Sequence, residues 1–476
     1  RREGKGAEKR RSLGENPRML RLVTSATGMS TLQVVGVAAV GAVTAAWWMT
    51  RTTTKKGADT VVDDSGPNEA KLHAVECSMV MMDEPAITTI TFVKGDPAAA
   101  AAYLKQRVAD IVRANPWLGG KLTRPKGKKG VYLRWDPSSA PSLFVEHGID
   151  DPSLPPMTRD TPYAKLVKAC EARGMVMGNG DESLAKHAHM FKVSLIPDAE
   201  HPTERFGVVM SLTHAIGDGY TFYQMHNMLS MGRPLTALDA RRVHQAHAEA
   251  EKATQEVGGL TNISPWLILK MMYAYMRVWC GWDVPECCAH YVDQQHVAQR
   301  KEEAKREGSV SFVSTNDVIT SQFLSAPHVH RSVMVVNFRN KIACVCDAHA
   351  GNYMNIISYA PPDVASPSLI RKSLITLKRA AVPPTKLVEG PRRLGEIIAM
   401  VTNWASFDQG LELSHCTQDL HLPLYDPATI PIAVIQMVVI FRASEGGLAF
   451  LLFGDKGFVR HCEARGVCGK PVELNW

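Results

Sequence analysis

Along most of the chain the apolar positions carry one of two signatures: short apolar runs, or stripes that return every three to four residues. Runs at Ile87–Val93, Val131–Trp135, His189–Ile196 and Phe206–Thr213 predict strands. Between the first two lies a helix with both ends written in the sequence. Asp96 suits its N-cap, Pro97 its first position, and Tyr103, Leu104, Val108, Ile111 and Val112 form one stripe that stops at Asn115-Pro116. Charged, helix-like stretches follow at 232–262 and 294–309. Beyond them, Val310–Val313, Ser332–Phe338, Ala433–Arg442 and Gly447–Phe453 read as strands, and Asn316–Ser325, Ser368–Ala381 and Leu394–Thr402 as helices. Strand and helix material on both sides of a polar crossover gives an α/β class with two lobes, each a mixed sheet flanked by helices. The expected lobes are 71–240 and 310–476, joined by a crossover at 241–309.

The N-terminal region has a different pattern. A basic tail occupies 1–30, and no charged residue occurs from Leu22 to Thr50. Within 31–50, Leu32–Met49 is a continuous apolar run closed by Trp47, Trp48 and then Arg51, Lys55 and Lys56. About 19 helical residues span about 28 Å, close to a bilayer's hydrocarbon core. The tryptophans and following bases suit an interfacial anchor, so one reading is a single-pass transmembrane helix in an endomembrane or plastid. The other is a cleaved leader, with Ala45-Ala46 suited to processing. Residues 51–70 are polar and read as a linker.

Composition narrows the function classes. Hydrophobic residues make up 45% of the 476 and charged residues 21%, ordinary values for a globular protein. The net charge of +7 is concentrated at one end: residues 1–56 carry 11 Lys/Arg and three Glu, and the remainder carries 43 bases and 44 acids. A near-neutral body excludes a nucleic-acid partner argued from charge. The ten cysteines form no CxxC pair and no repeated spacing, which points to reduced thiols rather than a disulfide framework or a metal site.

The stretch Phe206–Ser230 carries the chemistry. A β-rich run ends at His214, Gly217-Asp218-Gly219 makes a turn, and an amphipathic segment follows. A histidine at a strand end, with glycines clearing space beside it, can accept a proton from an alcohol or thiol at neutral pH. Alone it would more often be a locally bonded histidine.

His214-Ala-Ile-Gly-Asp218-Gly219 forms HxxxDG, and other strings recur around it in a fixed order. They are Asn115–Leu122 (NPWLGGKL), Ser314–Val318 (STNDV), Val336–Lys341 (VNFRNK), Gly351-Asn352, and Thr402-Asn403-Trp404. Taken together the set resembles the chloramphenicol-acetyltransferase-like superfamily of CoA-dependent acyltransferases. That group includes the plant BAHD enzymes, the wax-ester synthases and the condensation domains. The chain departs from each subfamily. No DFGWG string occurs at Phe407–Leu424, and Thr213 rather than histidine precedes His214. The acceptor therefore cannot be taken from one of them.

The resemblance implies two lobes of that fold, acyl-CoA as co-substrate, no permanently bound cofactor or metal, and a monomer. It implies His214 as general base and Asp218 as a partner of Arg339 rather than of the ring. Thr402 and Trp404 would contact substrate. Gly219, Asn316, Asp317, Gly351 and Asn352 would shape the site. A last segment, Ser264–Trp282, is apolar and aromatic apart from Lys270 and Arg277. It reads as a core helix with snorkelling charges or as a helix lying in a membrane surface. With the N-terminal run it tilts the acceptor, an alcohol or amine, towards a lipophilic one such as a fatty or isoprenoid alcohol, a sterol or an acylglycerol. The function expected is an acyl-CoA-dependent O-acyltransferase. Alternatives are a wax-ester or diacylglycerol-type synthase, and a non-catalytic binding or assembly module on the same fold.

Overall fold

The computed structural model describes residues 65–139, 141–148, 156–255, 286–326, 329–382, 397–426, 435–444 and 446–472. The basic tail, the apolar run at 32–49, most of the linker and the segment 264–282 lie outside the described residues. Among the described residues no helix is long and apolar enough to cross a membrane.

In chain order the first half holds β1 (Glu69–Lys71), α1 (Met79–Asp83), β2 (Ile87–Lys94), α2 (Pro97–Ala114), β3 (Lys121–Thr123), β4 (Tyr132–Arg134), β5 (Phe144–Glu146), α3 (Tyr163–Ala172), α4 (Gly180–Lys186), β6 (Phe191–Pro197), β7 (Arg205–Leu212) and α5 (Gly219–Asn227). The second half holds α6 (Ala246–Thr254), β8 (Glu286–Val292), α7 (Gln294–Arg306), α8 (Thr315–Leu324), β9 (Val329–Asn337), β10 (Met354–Tyr359), α9 (Pro367–Thr376), β11 (Ile397–Asn403), β12 (Thr417–Pro423), β13 (Ile435–Ser444), β14 (Gly447–Gly454), α10 (Lys456–Glu463) and β15 (Cys468–Pro471). Helix α2 uses the signals read from the sequence. Asp96 accepts a hydrogen bond from the Ala98 amide, Pro97 opens the helix, and Leu104, Val108, Ile111 and Val112 are buried.

Two sheets organise the molecule. One has five strands in the order β12-β2-β7-β6-β5, the other seven in the order β10-β9-β11-β13-β14-β8-β15, and a small sheet β1-β4-β3 flanks them. In the larger sheet β9, β11 and β13 run parallel side by side.

Three expectations are corrected. Leu394–Thr402 is not a helix; its described part is strand β11. Between two parallel neighbours an apolar run such as Ile-Ile-Ala-Met-Val shows no alternation, so periodicity alone cannot separate it from a buried helix. Val310–Val313 is not a strand, and Phe312 stands more than half exposed ahead of α8. The lobes also exchange material. Strand β12, from the C-terminal half, pairs with β2 in the five-stranded sheet. Strand β8, from the expected crossover, pairs with β14 in the seven-stranded sheet.

Polar side chains hold the exchanged strand. His421 of β12 bonds Thr91 of β2 through Nδ1 at 2.8 Å and Tyr223 of α5 through Nε2 at 3.0 Å. His226 meets it edge-on, ring centroids 5.0 Å apart. Burial pushes the His226 ring down to about 4 and the His73 ring down to about 3. Below pH 6.5 the unfolded chain takes up these protons and the native chain does not, so stability falls as pH falls through that window. By pH 5 each ring should cost about 2 kcal/mol of stability. Denaturant midpoints measured from pH 7 to pH 5 should fall steadily, and replacing His226 by Gln should flatten the slope.

Candidate active site

One residue, Thr213, separates β7 from His214, which begins a single 3-10 turn, His214–Ile216, before α5. Asp218 is the N-cap of α5 and accepts the Thr221 amide at 3.0 Å. That cap fixes the strand-to-helix turn that carries the histidine. The His214 ring is half-buried, and its Nδ1 is buried without a hydrogen bond, which leaves Nε2 to meet a reactant.

Asp218 points away from the ring into a buried ion pair. Its Oδ2 accepts from Arg339 Nη1 at 2.8 Å and from the Tyr353 amide at 3.0 Å. Arg339 also donates to Thr221 Oγ1, Asn337 Oδ1 and the carbonyls of His349 and Gly351, all at 2.9–3.1 Å. Its guanidinium lies over the rings of Tyr220 and Tyr353, 4.4 and 5.0 Å from their centroids. Both charges are nearly inaccessible, and every guanidinium nitrogen is engaged. The pair is a rigid bracket behind the histidine and offers no proton to it.

A second bracket was not read from the sequence. Arg242 donates through Nε to both carboxylate oxygens of Glu76 at 2.9–3.0 Å, and both side chains are fully buried. Arg242 Nη2 reaches the Ile216 carbonyl at 3.0 Å, inside the histidine turn. Asn352 links the two: its Nδ2 donates to Glu76 at 3.1 Å and to the His214 carbonyl at 2.8 Å. Burial alone would raise the Glu76 carboxyl; the Arg242 charge and the hydrogen bonds around it instead bring it down to about 2. The sequence held one clue, a single acid inside the apolar stretch His73–Met82. Gly351 completes the bracket. Its φ is +136°, and a Cβ there would sit 3.0 Å from the Arg242 guanidinium carbon.

In front of the brackets a cavity of about 320 Å³ spans both sheets. His214, Asp218 and Gly219 line it from the five-stranded side; Asn316, Thr402 and Trp404 line it from the other. Asn316 accepts from Asn403 Nδ2 at 3.1 Å. Trp404 packs between Tyr223 and Tyr425, ring centroids 6.1 and 5.8 Å away. Gly219 is packed against the opposite side: a Cβ there would lie 3.0 Å from Trp404 Nε1. Gly219→Ala should displace the indole, cost about 1–3 kcal/mol of stability, and change Trp404 fluorescence. Arg339, Gly351 and Asn352 stand behind the cavity. Asp317 is not among the lining residues. It closes a capping box with Ser314 at the start of α8 and pairs with Arg371 of α9 at 2.6 Å. The cap of α8 is thus Ser314, with Thr315 and Asn316 inside the helix.

Metal-type donors meet elsewhere. Cys288, His290 and Glu463 bring ligand atoms within 4.8 Å of one another at the β8–α10 edge. There the Glu463 carboxylate already holds His290 Nε2 at 3.2 Å.

Two sheets that exchange a strand, with an HxxxDG histidine at their junction, define the chloramphenicol-acetyltransferase-like fold, and solved structures of that fold match the chain. F. graminearum TRI101, in complex with coenzyme A and deoxynivalenol, aligns at a TM-score of 0.51 and 14% identity, over 83% of this chain and 97% of that one. Polyketide synthase associated protein 5 from Mycobacterium tuberculosis aligns at 0.51 and 14%, over 84% and 98%. The first condensation domain of the CDA synthetase aligns at 0.52 and 11%, over 86% and 99%. No family model and no curated protein matches the sequence.

Proposed function

We propose that this chain transfers an acyl group from a coenzyme A thioester to an acceptor hydroxyl, with His214 as the general base. The observation that carries the reading is the placement of His214: half-buried at the junction of the sheets, facing a cavity, on a turn fixed by two buried ion pairs. The acceptor proton passes to His214 Nε2 as the oxygen attacks the thioester carbon. When the C–S bond breaks, the imidazolium returns that proton to the departing CoA sulfur. A base positioned this way contributes a factor of about 10²–10⁴. The TRI101 structures with bound coenzyme A support the same donor here, with no resident cofactor required.

The cavity wall favours an apolar acceptor or acyl chain. Met81, Met334, Met354, Met400 and Met437 line it, and thioether side chains adapt to flexible apolar ligands. We place the protein at a membrane, held by residues 32–49, which would bring a lipophilic alcohol within reach. Assaying thiol release from acetyl- to palmitoyl-CoA against short alcohols, long-chain alcohols and amines tests the donor and acceptor together. The expected result is ester formation that improves with acceptor chain length. Transfer to amines alone would contradict the hydroxyl assignment, and loss of the full-length protein to a carbonate wash would contradict the anchor.

A further inference from the structure

The His214 mechanism leaves an imidazolium in a mostly apolar cavity, and the carboxylate nearest in sequence cannot serve it. Both oxygens of Asp218 are taken, Oδ1 by Thr221 and Oδ2 by Arg339 and Tyr353. Another acid shares the cavity. Glu84 is the C-cap residue of α1, which packs against the histidine turn, and its side chain lines the same cavity as His214. Among the described residues the Glu84 carboxyl makes no hydrogen bond and no ion pair. A carboxyl left unpaired against an apolar wall is costly to keep unless it acts on something that enters or forms there.

We propose that Glu84 is the counter-ion of the His214 imidazolium, stabilising the charge that forms when the acceptor loses its proton. The inference rests on the acyltransfer reading above. Burial pushes the Glu84 carboxyl up, and the His214 ring acts in the opposite direction, favouring the ionised form. Other charged groups around the pair are otherwise directed. Asp83 also lies at the end of α1 but accepts from Asn179 Nδ2 at 3.2 Å beside Asp181 and Glu182 of α4, away from the cavity mouth. The cavity is also lined by Lys341, which donates to the Asn337 carbonyl at 2.6 Å, and by Tyr425, whose hydroxyl is held protonated well above its usual range by burial and by the Glu84 charge. Asp218 is neutralised by Arg339. Among the described residues Glu84 is therefore the unpaired carboxyl lining the cavity.

The test measures the ring directly and does not depend on turnover. Diethylpyrocarbonate acylates an imidazole only in its neutral form, so the rate of carbethoxylation of His214 itself against pH, assigned by peptide mass spectrometry, gives the ring's midpoint. In Glu84→Gln the midpoint should fall by about one pH unit relative to the wild type. Glu84→Asp, which keeps the charge, should hold it close to the wild-type value. With an acceptor in hand, kcat of Glu84→Gln should fall by about tenfold or more, with KM little changed and the acid limb of the rate profile moved to lower pH. Coincident midpoints in the wild type and Glu84→Gln, or an unchanged kcat, would overturn the pairing. A shifted midpoint in a protein that transfers no acyl group would instead leave the pairing standing and remove the acyltransfer reading.

Discussion

Replacing His214 by alanine should lower the rate of acyl transfer by about 10²–10⁴ while leaving the fold intact. The two halves of that expectation have separate grounds. The rate falls because Nε2 is the group left to take the acceptor proton, and among the described residues no other histidine lines the cavity. The fold survives because the ring makes no hydrogen bond among the described residues, and a contact that holds the turn runs through the His214 carbonyl, which alanine keeps. Steady-state kinetics and a denaturant midpoint, measured on the same preparation, check both. A variant that retains wild-type turnover would assign the proton transfer to another group.

The largest effect on stability is expected at Arg339. Truncation to alanine removes five side-chain hydrogen bonds at once, those from Nε, Nη1 and Nη2 to Asp218, Asn337, Thr221, His349 and Gly351, together with the stacking on Tyr220 and Tyr353. It also leaves the Asp218 carboxylate buried with only neutral donors. Breaking one side of such a pair costs about 3–5 kcal/mol. Arg339→Lys restores the charge without the planar fork and should recover part of the loss. Asp218→Asn leaves the buried guanidinium without its counter-ion, but Arg339 keeps its contacts to Asn337, Thr221, His349 and Gly351, so the loss should be smaller than in Arg339→Ala, which removes them all. Activity should fall in all three, since Arg339 also grips the Gly351 carbonyl and so the wall behind the histidine. Equal stability of wild type and Arg339→Ala in a urea titration would contradict the bracket's structural role.

The sequence reading recovered the parts of the fold that are locally specified. Helix α2 has its cap, its proline and its stripe inside eighteen residues, and strands β2 and β7 are apolar runs bounded by polar residues. It recovered the Asp218–Arg339 contact through an ordered set of short strings, since 121 residues separate the two partners and no local pattern joins them. What it missed is what only tertiary pairing decides. Strand β11 looked helical because parallel neighbours bury it and remove its alternation. The migration of β12 into the other sheet depends on Thr91, Tyr223 and His421 meeting across more than 300 residues. Glu76, Arg242 and Glu84 are ordinary charged residues in the sequence, and their importance appears only when burial strips away water and leaves each with, or without, a partner.

The central claim is that a CoA thioester and its acceptor meet at His214 between the two sheets. A crystal structure of the protein with coenzyme A bound tests it most directly. The account predicts the CoA sulfur inside the cavity, within about 4 Å of His214 Nε2, as a reacting geometry requires. Coenzyme A bound elsewhere, or with its sulfur out of reach of the histidine, would contradict it.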